Sequence, residues 1–149
     1  MKTLVLYFSA EGTTAAAAKQ LAAIKQADLF EIRPAETYSA ADLRYTNPLA
    51  RCNREFFGKK DVPAVGRIEN FSSYDTVMLG FPIWYGGAPN VVSTFCKAYD
   101  WTGKTVYIFA TSGGSAIGKT AKRLSTFLHG AVIKDARVIH QATEMDDWM

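Results

Sequence analysis

An α/β fold, with a parallel sheet and helices on both faces, is what this chain predicts, and three observations carry the prediction. Apolar, strand-like runs alternate with helical stretches along its 149 residues. Three of those runs stop in loops of Gly, Ser and Thr before the chain turns helical, at Ser9 to Thr14, Phe81 to Pro89 and Thr111 to Gly118. Loops that leave the C-termini of parallel strands gather on one edge of the sheet, so these three make one site of nucleotide size.

The first strand is Leu4-Val5-Leu6-Tyr7-Phe8, whose unbroken apolar character suits a central strand buried on both faces. Thr13 or Thr14 can cap the helix that follows, in which Ala15 to Ala18, Leu21, Ala22 and Ile24 combine helix formers with an apolar stripe. Leu29-Phe30-Glu31-Ile32 predicts a second strand, closed by Arg33-Pro34. From Pro34 to Gly66 the pattern dissolves into polar residues and prolines, with helical hints at Ala40 to Arg44 and Leu49 to Phe57. A segment of this length inside a compact domain is expected to be functional or loosely ordered. It is expected to cover the site, with Arg51, Asn53 and Arg54 either as its best donors to an anionic ligand or as solvated surface.

Order returns with a third strand, Asp75 to Gly80, and a helix from Asn90 to Tyr99. A fourth strand, Thr105 to Ala110, and a helix from Ser115 to Leu128 follow. A weak fifth strand falls at either Val132-Ile133 or Val138-Ile139, which leaves little chain for a last helix.

At 149 residues with 48% hydrophobic content, the chain is expected to form one domain over residues 1–149, with the loop-rich insertion at about 34–66. The run Thr3 to Phe8 is too short for a signal peptide and no other run approaches a membrane span. A cytoplasmic location without membrane contact is therefore expected. Cys52 and Cys96 stand in unrelated contexts and suggest reduced thiols, and two Cys with two distant His suggest no metal site. The net charge of +3 reads first as a solvated face, and the Arg and Lys between Arg33 and Arg67 offer a docking patch as the alternative. Aromatics are not interleaved with the basic residues, so nucleic acid is not indicated.

The loops carry the chemistry. Ser9, Ala10, Glu11, Gly12, Thr13 and Thr14 offer three hydroxyls and successive backbone N–H groups at a helix N-terminus, which holds roughly half a positive charge and suits a phosphate. Pro82, Ile83, Trp84, Tyr85, Gly86 and Gly87 place aromatic rings beside a Gly-Gly pair in an exposed loop. A flat heterocycle would use both, the indole for stacking and the glycines for close backbone approach. Trp84 as a plug over the core end is the plainer alternative.

The third loop contains Ser112, Gly113, Gly114 and Ser115, and Gly113 to Thr120 spells G-G-S-A-I-G-K-T, which satisfies the P-loop pattern G-x-x-x-x-G-K-[ST]. A nucleotide triphosphatase also needs a Mg²⁺-binding carboxylate after a further strand. The nearest is Asp135, after the short run Val132-Ile133-Lys134, so a P-loop protein is a remote alternative.

Taken together, the strings Gly80-Phe81-Pro82-Ile83-Trp84 and Thr111-Ser112-Gly113-Gly114-Ser115 resemble the flavodoxin family, in its subgroup with P-x-W and T-S-G-G-S loops, over Leu4 to about Ala142. The resemblance implies a flavodoxin-like three-layer sandwich with a five-stranded parallel sheet of order 2-1-3-4-5, and FMN at the switch point. It implies that Ser9 to Thr14 hold the FMN phosphate, and that Pro82 to Gly87 run beside the isoalloxazine. Trp84 would then stack on the ring, Gly86-Gly87 would lie near the flavin N5 edge, and Ser112 to Ser115 would meet its pyrimidine edge. Glu11 departs from the family pattern, which has Thr there, and the pI of about 8.9 departs from the acidic electron carriers. Two functions follow: electron transfer to a redox partner protein, or an FMN-dependent NAD(P)H:acceptor oxidoreductase with a small-molecule acceptor such as a quinone. No nucleophile and base pair is seen, so no catalytic residue is assigned beyond the flavin pocket.

Overall fold

The computed structural model of the chain describes residues 2–148 apart from 37, 40, 44, 45, 47–49, 58–61, 85, 86, 112–116, 118 and 119, with backbone alone for 53, 56 and 57. In chain order it forms β1 (Lys2–Tyr7), α1 (Thr13–Lys25), β2 (Asp28–Glu31), β3 (Arg33–Pro34), α2 (Arg51–Phe57), β4 (Ala64–Val65) and β5 (Tyr74–Pro82). Then come α3 (Asn90–Cys96), β6 (Thr105–Thr111), α4 (Thr120–Ser125) and β7 (Val132–Val138), with 3-10 turns at Ala41–Leu43, Phe71–Ser73 and Ala142–Met145.

Five strands make one parallel sheet in the order β2-β1-β5-β6-β7. With the two-residue β3 and β4 set aside, this is the expected order 2-1-3-4-5. The continuous apolar runs arise because successive side chains point to opposite faces and both faces are covered. Leu4, Leu6, Val77, Leu79 and Ile108 share one core with Val91, Val92 and Phe95 of the α3 region. Val5, Tyr7, Met78, Tyr107 and Phe109 share the other with Ala17, Ala18 and Leu21 of α1. The Ala-rich face of α1 lets its backbone lie close to the sheet, which sets the helix N-terminus over the strand ends.

Gly80 marks another close approach. It pairs with Phe109 across β5 and β6, and a Cβ placed there would lie 2.1 Å from the Phe109 ring.

Two local expectations differ from the structure. The two short apolar pairs at 132–133 and 138–139 belong to a single strand region, β7 with Ile139 just beyond it. Its middle is polar because Lys134, Asp135 and Arg137 lie on the last strand of the sheet, where one edge and part of a face meet water. Helix α1 is preceded not by a threonine cap but by Gly12 in the left-handed region, at φ 97°, with no side-chain cap. Cys52 lies in α2 and is buried, as is Cys96, and both are free thiols.

The 34–66 segment is tied off at its ends by β3 and β4, which pair antiparallel as Arg33 with Val65 and Pro34 with Ala64. Both helical hints within it are realised, as the turn at 41–43 and as α2.

After β7 the chain folds back under α1. Trp148 packs on Tyr107 with ring centroids 5.0 Å apart, and its indole N–H donates to Asp135 Oδ2 at 2.9 Å. Arg137 bridges Asp135 and Asp147, and the Glu144 carboxylate accepts the N–H groups of His140 and Gln141. These contacts hold the Asp135 carboxyl below its usual range, chiefly through the Trp148 bond, and hold Asp147 down chiefly through Arg137. Glu144 is lowered by the two backbone N–H groups. A carboxylate with a depressed folded pKa stabilises the fold above its unfolded pKa, and that contribution is lost as pH falls through the folded value. The Trp148 indole N–H resonance is therefore expected to shift and broaden from about pH 4 downward. Asp135→Asn should flatten the change, and an indole signal constant down to about pH 2 would overturn the linkage.

Candidate cofactor cleft

The C-terminal edge of the sheet opens into a cleft of about 510 Å³, within the 300–1,000 Å³ range of small-molecule sites. Ser9, Ala10, Glu11, Thr13 and Thr14 line it from the β1–α1 side, and Pro82, Ile83 and Trp84 from the end of β5. Thr111, Ile139 and His140 complete its wall.

The β1–α1 loop is shaped by its own hydrogen bonds. Ser9 Oγ accepts the Gly12 N–H at 3.0 Å, and the positive φ of Gly12 swings the chain into the helix. Because no side chain caps α1 and no acidic residue occupies its first turn, the first N–H groups and the positive end of the helix dipole stay open toward the cleft. Thr14 does not cap the helix either. It is buried, and its hydroxyl lies 2.7 Å from that of Thr111, which ties the helix start to the end of β6. Glu11 is exposed.

The second loop is a tight one. Ile83 N–H donates to the Thr111 carbonyl at 3.0 Å, and Trp84 and Gly87 exchange backbone bonds of 2.9 and 3.0 Å. Trp84 is half-buried, so it both borders the core and lines the cleft. Its ring meets Phe8 at 5.7 Å and Tyr38 at 5.2 Å, both near-perpendicular. Tyr38 comes from the 34–66 segment, which among its described residues reaches Trp84 through this aromatic ring. The Tyr38 hydroxyl donates to Glu55, the Arg51 guanidinium sits 3.9 Å from the ring centroid, and Arg51 Nε pairs with Glu55 at 2.8 Å. Burial, then the Glu55 bond, pushes the Tyr38 hydroxyl far above its ordinary range. Tyr38 therefore stays a neutral donor.

Of the residues predicted for the site, Ser9, Ala10, Glu11, Thr13, Thr14, Pro82, Ile83 and Trp84 come together in the cleft. Gly12 and Gly87 shape its two loops without lining it, and a Cβ at Gly87 would meet Arg123 Nη1 at 3.6 Å. Tyr85, Gly86, Ser112, Gly113, Gly114 and Ser115 lie outside the described residues. Arg51 is buried under Tyr38 and does not line the cleft, Arg54 is exposed, and the Asn53 side chain lies outside the description. Sequence reasoning placed Thr111 at the start of the third loop but missed Ile139 and His140, which also line the cleft. The signal for these two was topological, since the chain leaving the last strand must emerge on the same edge as the other loops.

The P-loop alternative finds no support. Thr120, whose hydroxyl that motif would offer to Mg²⁺, is fully buried with its hydroxyl donating to the Ile117 carbonyl, and Asp135 is engaged by Trp148 and Arg137.

A doubly wound parallel sheet with a ligand-sized cleft at its switch point defines the class of this protein. The family model for flavodoxins matches residues 2–149, and the chain belongs to that family. Among solved structures it is similar to a candidate flavoprotein from Bacteroides eggerthii, with 39% identity, a TM-score of 0.92, and coverage of 99% of this chain and 94% of that one. A candidate flavoprotein from Bacteroides uniformis is similar at 39% identity and a TM-score of 0.91, over 99% and 96% of the two chains. A flavoprotein from Lactobacillus acidophilus, solved in complex with FMN, shares the fold at 24% identity and a TM-score of 0.74, over 99% and 97%. Among curated proteins none matches.

Proposed function

We propose that this protein binds FMN in the cleft described above and acts in electron transfer. The observation that carries the reading is the uncapped start of α1, without acidic residues in its first turn, facing the same cleft as the half-buried Trp84. The residues fit the group. Ser9, Thr13 and the first N–H groups of α1 would hold the phosphate, while Pro82, Ile83 and Trp84 would border the ring system. Bound FMN supplies the ability to accept and pass on electrons one or two at a time. The chain orients it, excludes water from one side with Trp84, Phe8 and Tyr38, and keeps Tyr38 protonated nearby.

A second reading, an FMN-dependent reductase of NAD(P)H and a small acceptor, is favoured by an adjoining cleft of about 330 Å³. It shares Ser9 and Ala10 with the first and adds Arg33, Pro34, Tyr38 and Val65. A reductase must place a second substrate against the flavin, and this neighbouring space is where one would enter.

The purified chain mixed with FMN is expected to show a flavin spectrum with quenched protein fluorescence. A folded sample that leaves FMN unbound overturns the proposal. Excess NADH or NADPH without oxygen is expected to bleach the bound flavin slowly or not at all. Fast bleaching, reversed by a quinone, would replace electron carriage with the reductase.

A further inference from the structure

We propose that His140 is a binding residue for the phosphate end of the cofactor, supplying the cationic charge that the β1–α1 loop lacks; this deepens the FMN reading and rests on it. Residues 9–14 include no Lys or Arg, and their single formal charge is the carboxylate of Glu11. Among the described residues that line the cleft, His140 is the only other one able to carry charge.

Its position follows from register. Val138 pairs with Ala110, and the Ile139 N–H donates to the Ala110 carbonyl at 2.8 Å, which sets the end of β7 beside the end of β6. The next residue of β6 is Thr111, whose hydroxyl touches Thr14 in the first turn of α1. Thr14, Thr111, Ile139 and His140 thus follow one another around the start of α1, and Ile139 and α1 share one core. His140 stands at the helix end of the cleft.

The imidazole is free to serve. His140 is exposed, and among the described residues its hydrogen bond runs from the backbone N–H to Glu144 Oε2 at 2.6 Å. The groups that act on its charge are few. Glu144 binds its backbone N–H, Glu11 lines the same cleft, and the first turn of α1 has no acidic residue. Arg137, the nearest cation in sequence, is already paired with Asp135 and Asp147. An imidazolium here would offset Glu11 and attract a phosphate. Loss of the imidazole proton would remove that contribution, so it is expected to weaken as pH rises.

The test compares the wild-type chain, His140→Gln and His140→Lys for FMN and for riboflavin, which lacks the phosphate, across pH. The phosphate's own second ionisation near pH 6 is common to all three chains and cancels in their ratio. For FMN, wild type is expected to bind about five- to tenfold more tightly than His140→Gln at about pH 6, the scale of one solvated charge pair at contact. The ratio should shrink at alkaline pH, because loss of the imidazole proton removes the charge. His140→Lys should keep the tight binding at both pH values, and riboflavin should not distinguish the three chains. A ratio that does not change with pH, or an equal loss for riboflavin, overturns the role of His140 while leaving the FMN reading intact. Failure of the wild-type chain to bind either flavin at any pH overturns both.

Discussion

Gly80→Ala is expected to destabilise the fold by about 1–3 kcal/mol, although it adds a single methyl group. A Cβ there would stand 2.1 to 2.7 Å from three atoms of the Phe109 ring. That ring is fully buried between Val5, Tyr7 and Met78 on the α1 face of the sheet, so it has no open space to swing into. The position needs no positive φ, so close approach alone requires the glycine. The measurement is a chemical denaturation series with a double-mutant cycle. Phe109→Leu should remove most of the extra cost of Gly80→Ala, giving a coupling of about 1 kcal/mol or more. Additive single and double variants would show that the ring is not the obstacle.

The second large effect is on ligand affinity. Trp84→Ala is expected to weaken FMN binding by about 1–3 kcal/mol, borrowing the scale of aromatic stacking on nucleobases. Stability should fall less, because Trp84 is only half-buried and the ends of its loop are held by backbone bonds between residues 84 and 87. Titration of FMN into the variant, beside its thermal melt, separates the two roles. If the variant melts far below wild type yet binds FMN with unchanged affinity, Trp84 serves the core through Phe8 and Tyr38 and the cofactor reading of this ring is wrong.

The sheet was legible because its strands are buried on both faces. Leu4 to Phe8, Val77 to Leu79 and Val106 to Ala110 stay apolar without alternation, and their helices and loops follow in the order a parallel sheet requires. The strand at 132–138 was blurred by Lys134, Asp135 and Arg137, which solvent tolerates on the last strand. The start of α1 was misread for a subtler reason. Thr13 and Thr14 have the chemistry of caps, but Gly12 takes the turning conformation and the Thr14 hydroxyl is spent on Thr111, a partner 97 residues away. Much of the cleft was visible as loop chemistry. Tyr38 and His140 were not, since neither lies in a distinctive string and both reach the site only through tertiary packing.

The two-residue ladder between Arg33–Pro34 and Ala64–Val65 separates the length of the chain it encloses from the integrity of the sheet. Closing a loop costs free energy that grows only logarithmically with length, about 0.6 kcal/mol per doubling. Insertions at exposed positions of this segment should then be cheap, provided the buried Arg51, Cys52 and Val62 keep their packing and the ring of Tyr38 still reaches Trp84. The segment is thus a place where a lineage, or a laboratory library, can remodel what approaches the cofactor edge while the five-stranded scaffold stays as it is.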